Sequence, residues 1–420
     1  MPSSSPPDRV ISRDAIARFD LRAPPPEFVD DPYPWYHALR CDDPVRVMPD
    51  GSLLLTRYED CVAVYKDPQV FSSDKKAEFL PKFGHSPLYQ HHTTSLVFND
   101  PPLHTRVRRL IVGALTPRAV EAMTPGLEAL VNRLLDDLAR RARQGEPVDL
   151  IEHYAAAIPV EIIGNLLDVP RGERGPLRGW SLAILGALEP ALTPEQIARG
   201  NQAVLEFLDY LRDLVARRRQ APGDPAIDVL TRLIQGEGED RLSEEALLQN
   251  CIFILNAGHE TTTNLIGNAL ALLCHVPQAR QRLLSEPTII GSAVEEFLRF
   301  ESSNQLGNRI TTSATSIGGR PVAAGTRITL VIGAANRDPA QFPDPDRLDL
   351  TREPNRHLAF ASGPHLCAGH AVARLEGRIA ISRFLSRFPD YAIDFAQARR
   401  GGRVRFRGWA HLPAELGLPR

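Results

Sequence analysis

The longest uninterrupted helical text in this chain runs from Ser243, an N-cap residue followed by Glu244 and Glu245, to Val276, where Pro277 ends it. At 1.5 Å per residue it would span roughly 50 Å. A helix of that length does not suit the edge of a small domain; it crosses a large one. The 420 residues, 43% hydrophobic and 24% charged, can fill a core of that size and argue against disorder or a fibrous repeat. A net charge of −2 leaves no broad electrostatic footprint for nucleic acid.

The remaining text is organised around that helix. Val45 to Met48 and Leu53 to Thr56 flank Pro49-Asp50-Gly51 as a β-hairpin, and helical text follows from Tyr58 to Lys66. Residues 71–97 read as a long irregular loop. Asp100-Pro101 reads as the N-cap and first residue of a helix reaching Leu115. From Pro117 to Gln235 the pattern is almost wholly helical, with breaks at Pro159, Pro170, Pro190 and Pro222-Gly223. A shorter helix, Ile289 to Phe300, leads into β-rich text at Arg309 to Thr312, Arg320 to Val322 and Arg327 to Ile332. An irregular Pro/Asp-rich segment, Arg337 to Arg356, precedes a last long helix, His370 to Phe388, and strand-like text at Tyr391 to Phe395 and Arg403 to Trp409. No internal repeat or flexible linker divides the chain. The expectation is a mainly α protein with a small β portion: a Pro/Ser-rich leader over residues 1–30 and a single domain over 31–420.

The basic residues are 45 arginines and only four lysines. Three of the lysines, Lys75, Lys76 and Lys82, form a local positive run that reads as a solvated loop or, more sharply, as an entrance attracting acidic substrates. His91 and His92 follow with no acidic or cysteine partner at ligand spacing, which favours a loop over a metal site. Five cysteines without a Cys-x-x-Cys argue against a disulfide framework or zinc ribbon and for a reducing cytoplasm. The N-terminal stretch does not resemble a signal peptide or membrane anchor.

Three constellations carry chemistry. Phe360-Ala361-Ser362-Gly363-Pro364-His365-Leu366-Cys367-Ala368-Gly369 surrounds a cysteine with glycines and a histidine, just before a helix. A thiolate that binds metal must be deprotonated and shielded; glycines let backbone N–H groups approach the sulfur, and the helix turns its positive end towards it. Cys251 and Cys274, in apolar helical text, read instead as small buried hydrophobes. Ala257-Gly258-His259-Glu260-Thr261-Thr262 lies in the middle of the longest helix. There a Thr261 hydroxyl can bond the carbonyl of Ala257 and open a notch, and an acid is costly unless it works. A zincin His-Glu-x-x-His reading fails because Thr263 stands where the second histidine is needed. Glu296 and Arg299 share one face of the helix before the β-rich text, charges that are stable in an interior only when paired and further hydrogen-bonded.

Together these residues resemble the cytochrome P-450 family. The cysteine segment matches the haem-binding loop F-G-x-G-x-H-x-C-x-G at Phe360, Gly363, His365, Cys367 and Gly369, with Ala361 in place of the first glycine. Residues 257–262 match the oxygen-activation motif A-G-x-D/E-T-T/S, and Glu296-Phe297-Leu298-Arg299 matches E-x-x-R. The resemblance implies the P-450 fold, a single haem domain with a long central helix, and b-type haem with Cys367 as axial thiolate. It places Phe360, Gly369, Ala257 and Gly258 against the haem, and His104, Arg108, Arg309 and His365 on its propionates. It makes Thr261 and Glu260 the catalytic pair, one holding oxygen and its water, the other relaying protons from solvent. Glu296 and Arg299 become structural, with Arg347 as the expected third partner and His357 as the second candidate. Ala361 is tolerable unless its position requires a positive φ.

The implied activity is insertion of one oxygen atom from O₂ into a small organic substrate, by hydroxylation or oxidative dealkylation. Electrons would come from NAD(P)H through a separate ferredoxin or flavodoxin and its reductase, since no reductase module follows the haem region. Arg108, Arg109, Arg374 and Arg378 would present a basic docking face, and the enzyme is expected to be a cytoplasmic monomer. Substrate contacts are expected from residues 71–97, around Trp180 to Leu192, from the long helix before Ala257, after Phe300, and from Arg403 to Trp409. Asn256 and Ser302-Ser303-Asn304-Gln305 suggest a polar group or ordered water held over the haem. Three readings compete. A peroxygenase would lack the Glu260–Thr261 pair, a haem-thiolate isomerase or dehydratase would not need Thr261, and a haem sensor would need no proton relay.

Overall fold

The computed structural model describes residues 10–226, 228–236 and 241–417, so residues 1–9 of the leader lie outside the description. The elements that position the site are, in chain order, β1 (Val45–Val47), β2 (Leu53–Leu55), β3 (Phe71–Ser72), α1 (Lys76–Phe83), α2 (Pro87–Thr94), α3 (Leu103–Ala114), α4 (Leu177–Gly186), α5 (Pro194–Gln220), α6 (Glu244–Ala257), α7 (His259–His275), α8 (Ile290–Phe300), β4 (Leu306–Thr311), β5 (Thr315–Ile317), β6 (Arg320–Val322), β7 (Arg327–Val331) and α9 (His370–Arg387). Further helices complete a protein that is 56% helical and 9% strand, a single domain with the P450 fold.

The long helical text folds as two segments, α6 and α7, joined at Gly258. Ser243 caps the first by accepting a hydrogen bond from the Ala246 N–H. Both segments are apolar on most sides, as a helix must be when it runs through a core. Leu265, Ile266 and Leu270 of α7 pack with Leu375 and Phe384 of α9, while Leu247, Cys251 and Ile252 of α6 pack with Phe207 and Leu211 of α5. Cys251 is buried, and Cys274 is partly buried against the first of these clusters.

The five-stranded sheet has the order β1-β2-β7-β4-β3, with β2 and β7 parallel and the other pairs antiparallel. The expected hairpin forms, pairing Val45 with Leu55. Strand β4 begins at Leu306, three residues before the text suggested, and pairs Arg309 with Ile328. Strand β3 pairs Phe71 with Thr311 and Ser72 with Ile310, which brings the start of the 71–97 segment to the side of Arg309.

That segment is not the expected loop. It contains β3, α1 and α2, whose periodicity is broken by Pro81 inside α1 and by Gly84, at φ +60°, just after it. Its lysine run is solvated only in part: Lys76 is exposed, but Lys75 is 2% exposed and donates to Glu78 Oε2 at 2.7 Å. The next helix, α3, starts at Leu103 after Pro102, because the Asp100 carboxylate is taken up by the Ser72 hydroxyl and the Ser73 N–H and does not cap it. At the other end, paired residues are Arg399–Arg400 with Trp409–His411, and Ala392–Ile393 with Ala414–Glu415. Arg403 to Phe406, expected in a strand, form the loop between Arg400 and Trp409.

Part of the Pro/Ser-rich leader packs into the core. Ile16, Phe19 and Phe28 are buried with Trp35 and Tyr36, the Phe19 and Phe28 rings 5.0 Å apart and Phe28 edge-on to Tyr36 at 5.5 Å. The last loop is tied to this region by a buried ion pair. Arg407 donates to Glu301, to the Val29 carbonyl at 3.0 Å and to the Asp30 carbonyl at 2.9 Å, and Tyr33 also donates to Glu301. Glu301→Ala would leave the Arg407 charge buried and unpaired, at a cost of about 3–5 kcal/mol. Chemical denaturation should show that loss, together with faster proteolysis near residues 401–408.

Candidate active site

The cysteine loop is shaped before the helix that follows it. The Cys367 N–H donates to the Phe360 carbonyl at 2.9 Å and the Leu366 N–H to Gly363 at 3.0 Å, while α9 begins three residues beyond the cysteine. Gly363 has φ +67°, and a Cβ there would collide with the Tyr65 carbonyl, so no other residue fits. Ala361 does sit at positive φ, +58°, the condition under which alanine is strained, by roughly 1–2 kcal/mol. Burial pushes the Cys367 thiol up, whereas the Gly369 N–H, Arg108 and Arg374 favour the thiolate.

Helix α9 is braced from α8. Arg374 donates to both Glu295 oxygens, at 2.6 and 2.8 Å, and its guanidinium lies 4.6 Å from the Phe360 ring. Against burial, which pushes it up, Arg374 and His357 hold the Glu295 carboxyl down at about 2. His357, at 3.2 Å from Glu295, therefore does not join the Glu296–Arg299 pair.

That pair is fully buried and doubly bonded, at 2.7 and 2.8 Å. Its third charged partner is Arg352, 3.3 Å from Glu296, not Arg347, which offers only its backbone carbonyl to Arg299. Glu296 also accepts from the Asp349 N–H at 2.9 Å and Asn355 at 3.1 Å, and Arg299 donates to the carbonyls of Asn336 and Pro345. Arg352→Ala should destabilise the protein by about 2–4 kcal/mol, whereas Arg347→Ala, at an exposed position, should stay within about 0.5 kcal/mol of wild type in the same denaturant titration.

The central helix opens where the residues predicted. Thr261 Oγ1 donates to the Ala257 carbonyl at 3.0 Å and Thr263 Oγ1 to that of His259 at 2.8 Å, so two side chains compete for carbonyls on either side of Gly258. Ala257 is exposed although it lies in the middle of a buried helix. Glu260, one residue before Thr261, is gripped by a residue that sequence reasoning did not single out: Arg403 Nη1 donates to both its oxygens, at 2.7 and 2.6 Å, and Nη2 to the Leu182 carbonyl at 3.1 Å. Burial raises the Glu260 carboxyl to about 7, with Arg403 pulling it back down. Asn256 is buried with neither amide atom partnered among the described residues. Ser302 bonds to backbone and to Asn336, and Gln305 Nε2 donates to the Ser302 carbonyl, but Ser303 Oγ, Asn304 Oδ1 and Gln305 Oε1, like Asn256, have no partner among the described residues.

A second acid appears on the far side of Thr261. Glu376 of α9 is buried beside Thr262, and burial raises its carboxyl to about 8, the Thr262 hydroxyl pulling the other way. In the unfolded chain this group ionises near 4.5. Between about pH 4.5 and 8 the folded protein therefore keeps a proton that the unfolded chain has lost, and stability falls as pH rises. Glu376→Gln should remove that fall, gaining about 3 kcal/mol on wild type between pH 5 and pH 7.5 in parallel unfolding titrations.

His104, Arg108, Arg309 and His365 converge as expected. The two imidazoles lie 3.9 Å apart, with His365 Nε2 3.1 Å from Ser73 Oγ and His104 Nε2 without a partner. Burial, then Arg309, His104 and Arg108, push His365 down to about 2; burial and Arg108 hold His104 near 4. Arg309 lies 5.0 Å over the Tyr65 ring and donates to the neighbouring Asn308 carbonyl at 2.7 Å, with no carboxylate within ion-pair distance among the described residues. Two guanidiniums and two imidazoles gathered beside a sulfur suit a cofactor bearing carboxylates, and this is the donor set that haem requires.

Comparison with known proteins agrees. Residues 185–390 match the family model described as Cytochrome P450. The chain is 39% identical to the Vitamin D(3) 25-hydroxylase of Pseudonocardia autotrophica over 93% of this chain and 95% of that one. It is 34% identical to the 6-deoxyerythronolide B hydroxylase of Saccharopolyspora erythraea over 89% and 92%. Among solved structures, P450BioI in complex with an acyl carrier protein ligated to hexadec-9Z-enoic acid superposes with a TM-score of 0.85 at 32% identity, covering 92% of this chain and 99% of the other. The chain belongs to the cytochrome P450 family. It is a monooxygenase that carries haem with a cysteine thiolate on the iron, and it uses O₂, a small substrate and a redox partner. No helix of the described residues is long and apolar enough to cross a membrane.

Proposed function

We propose that Cys367 is the axial thiolate and that Thr261 and Glu260 handle protons in an O₂-dependent hydroxylation or oxidative dealkylation. Haem, when bound, supplies the iron at which O₂ is reduced and one oxygen atom is passed to the substrate. Phe360, Gly369, Ala257 and Gly258 would line it, Arg108 and Arg309 would neutralise its propionates, and the neutral His104 and His365 would donate hydrogen bonds to them. The observation that carries this reading is the opened helix with a buried acid, gripped by Arg403, beside it. Thr261 spends its proton on the Ala257 carbonyl, which leaves its oxygen free to accept from water in the notch. A Glu260 carboxyl at about 7 can both take and release a proton near neutral pH. An isomerase, a sensor or a peroxygenase needs neither feature.

Electrons come from NAD(P)H through a separate ferredoxin or flavodoxin and its reductase, to a monomer in the cytoplasm. Five free cysteines support a reducing compartment. The named substrates of relatives, vitamin D(3) and 6-deoxyerythronolide B, share too little chemistry to transfer.

The reduced protein with CO should show the red-shifted Soret band of thiolate ligation, lost in Cys367→His; an unshifted band in folded wild-type protein would sink the assignment. Thr261→Ala should uncouple NAD(P)H use from product roughly tenfold or more and release peroxide. Because Glu260 carries its proton below about pH 7, coupling should fall above that pH. Arg403→Gln should move this limb upward by roughly one unit or more.

A further inference from the structure

Arg405 stands where four separate segments meet. Its Nε donates to the Leu188 carbonyl at 3.1 Å, Nη1 to the Leu306 carbonyl at 2.8 Å and Nη2 to Asn308 Oδ1. Its backbone N–H donates to Glu189 at 3.2 Å. Three of the five guanidinium donors are thus used and two are left. From the fourth side come Lys82 of α1 and Lys75, the residue that precedes that helix. Lys82 Nζ donates to the Ala187 and Glu189 carbonyls, at 3.2 and 2.8 Å, and lies 5.1 Å from the Phe83 ring. Lys75 Nζ has three protons and one partner, Glu78.

The charges do not balance. Lys75, Lys82 and Arg405 face two carboxylates, Glu78 and Glu189, and the further cation that Lys75 feels is Arg309 of the haem rim. Burial and Arg405 bring Lys82 down to about 8, as expected of a cation short of anions. Uncompensated buried charge is expensive unless a ligand completes it. An aromatic floor lies alongside: His92 packs at 5.6, 5.8 and 5.8 Å from the rings of Phe79, Phe83 and Phe98, and its Nε2, fully buried, has no partner.

We propose that this basic roof recognises a carboxylate on the substrate, held by the free fork of Arg405 with Lys75 in support, while the apolar body lies along Phe79, Phe83 and Phe98. The substrate class is an amphiphilic acid. Glu78, whose side chain keeps a quarter of its exposure, occupies the cations in the absence of the acid and is its internal competitor. This assignment rests on the monooxygenase reading, but its test does not: the CO spectrum reports the thiolate, and ligand selectivity reports the roof.

The probes are dodecanoate, methyl dodecanoate and dodecanol, titrated into the ferric holoenzyme at pH 7.5 and low salt and followed by the Soret shift. Dodecanoate should bind at least tenfold more tightly than the ester or the alcohol. Arg405→Gln should bring the acid to within twofold of the ester, and Arg405→Lys should restore part of the preference, since it keeps the charge but not the fork. Glu78→Gln removes the competitor and should tighten dodecanoate binding severalfold, a gain that misfolding cannot mimic. Equal binding of acid and ester by wild type overturns the proposal, as does a preference that survives Arg405→Gln. So does a Glu78→Gln variant that binds the acid no better. If Arg405→Gln weakens haem retention and leaves the acid-to-ester ratio intact, the charge serves a propionate and the proposal fails.

Discussion

Glu296 and Arg299 have no contact with water, and the wall behind the haem site is arranged around that fact. Two opposite charges in an interior stay ionised only if every lone pair and proton finds a partner. Helix α8 supplies just the two side chains. The rest comes from residues 336–355, a stretch with little regular structure of its own, through Arg352, Asn355, the Asp349 N–H and the carbonyls of Asn336, Pro345 and Arg347. A segment that could not hold its shape by helix or sheet hydrogen bonds is held by one buried ion pair. The neighbouring Glu295 does the same for α9, gripping Arg374 and so setting the direction from which that helix meets Cys367.

The preference for arginine over lysine now has a structural meaning. The interior pairs at Arg299, Arg374, Arg403 and Arg407 all use two or more edges of the guanidinium, typically a carboxylate on one side and backbone carbonyls on the other. An ammonium offers no such fork. Of the three lysines near the roof, two are drawn inward, and their few partners are what mark the roof as incomplete.

Sequence reasoning read the skeleton well because the skeleton is periodic or chemically marked. The opening at Gly258 followed from a threonine able to bond four residues back, and the cysteine loop from the glycines and histidine set around Cys367. It misread residues 71–97, where Pro81 and Gly84 cut two short helices into text that looks like a loop. It named Arg347 and then His357, and passed over Arg352, because in an irregular segment spacing carries no information about which side chain turns inward. Arg403 was invisible as the partner of Glu260, since 143 residues separate them and no motif links the final loop to the central helix. Glu376 sits in helical text as one charge among many; only its burial sets it apart.

The last loop, Arg403 to Arg407, touches nearly everything. Arg403 holds the acid of the central helix, the N–H groups of Val404 and Arg405 hold Glu189, Arg405 holds the roof, and Arg407 anchors the core at Glu301. For evolution and for engineering, this makes substrate range and proton supply inherited together. A loop exchange aimed at a new substrate alters the environment of Glu260 in the same step, so lineages that change this segment must explore coupling efficiency and specificity as one trait.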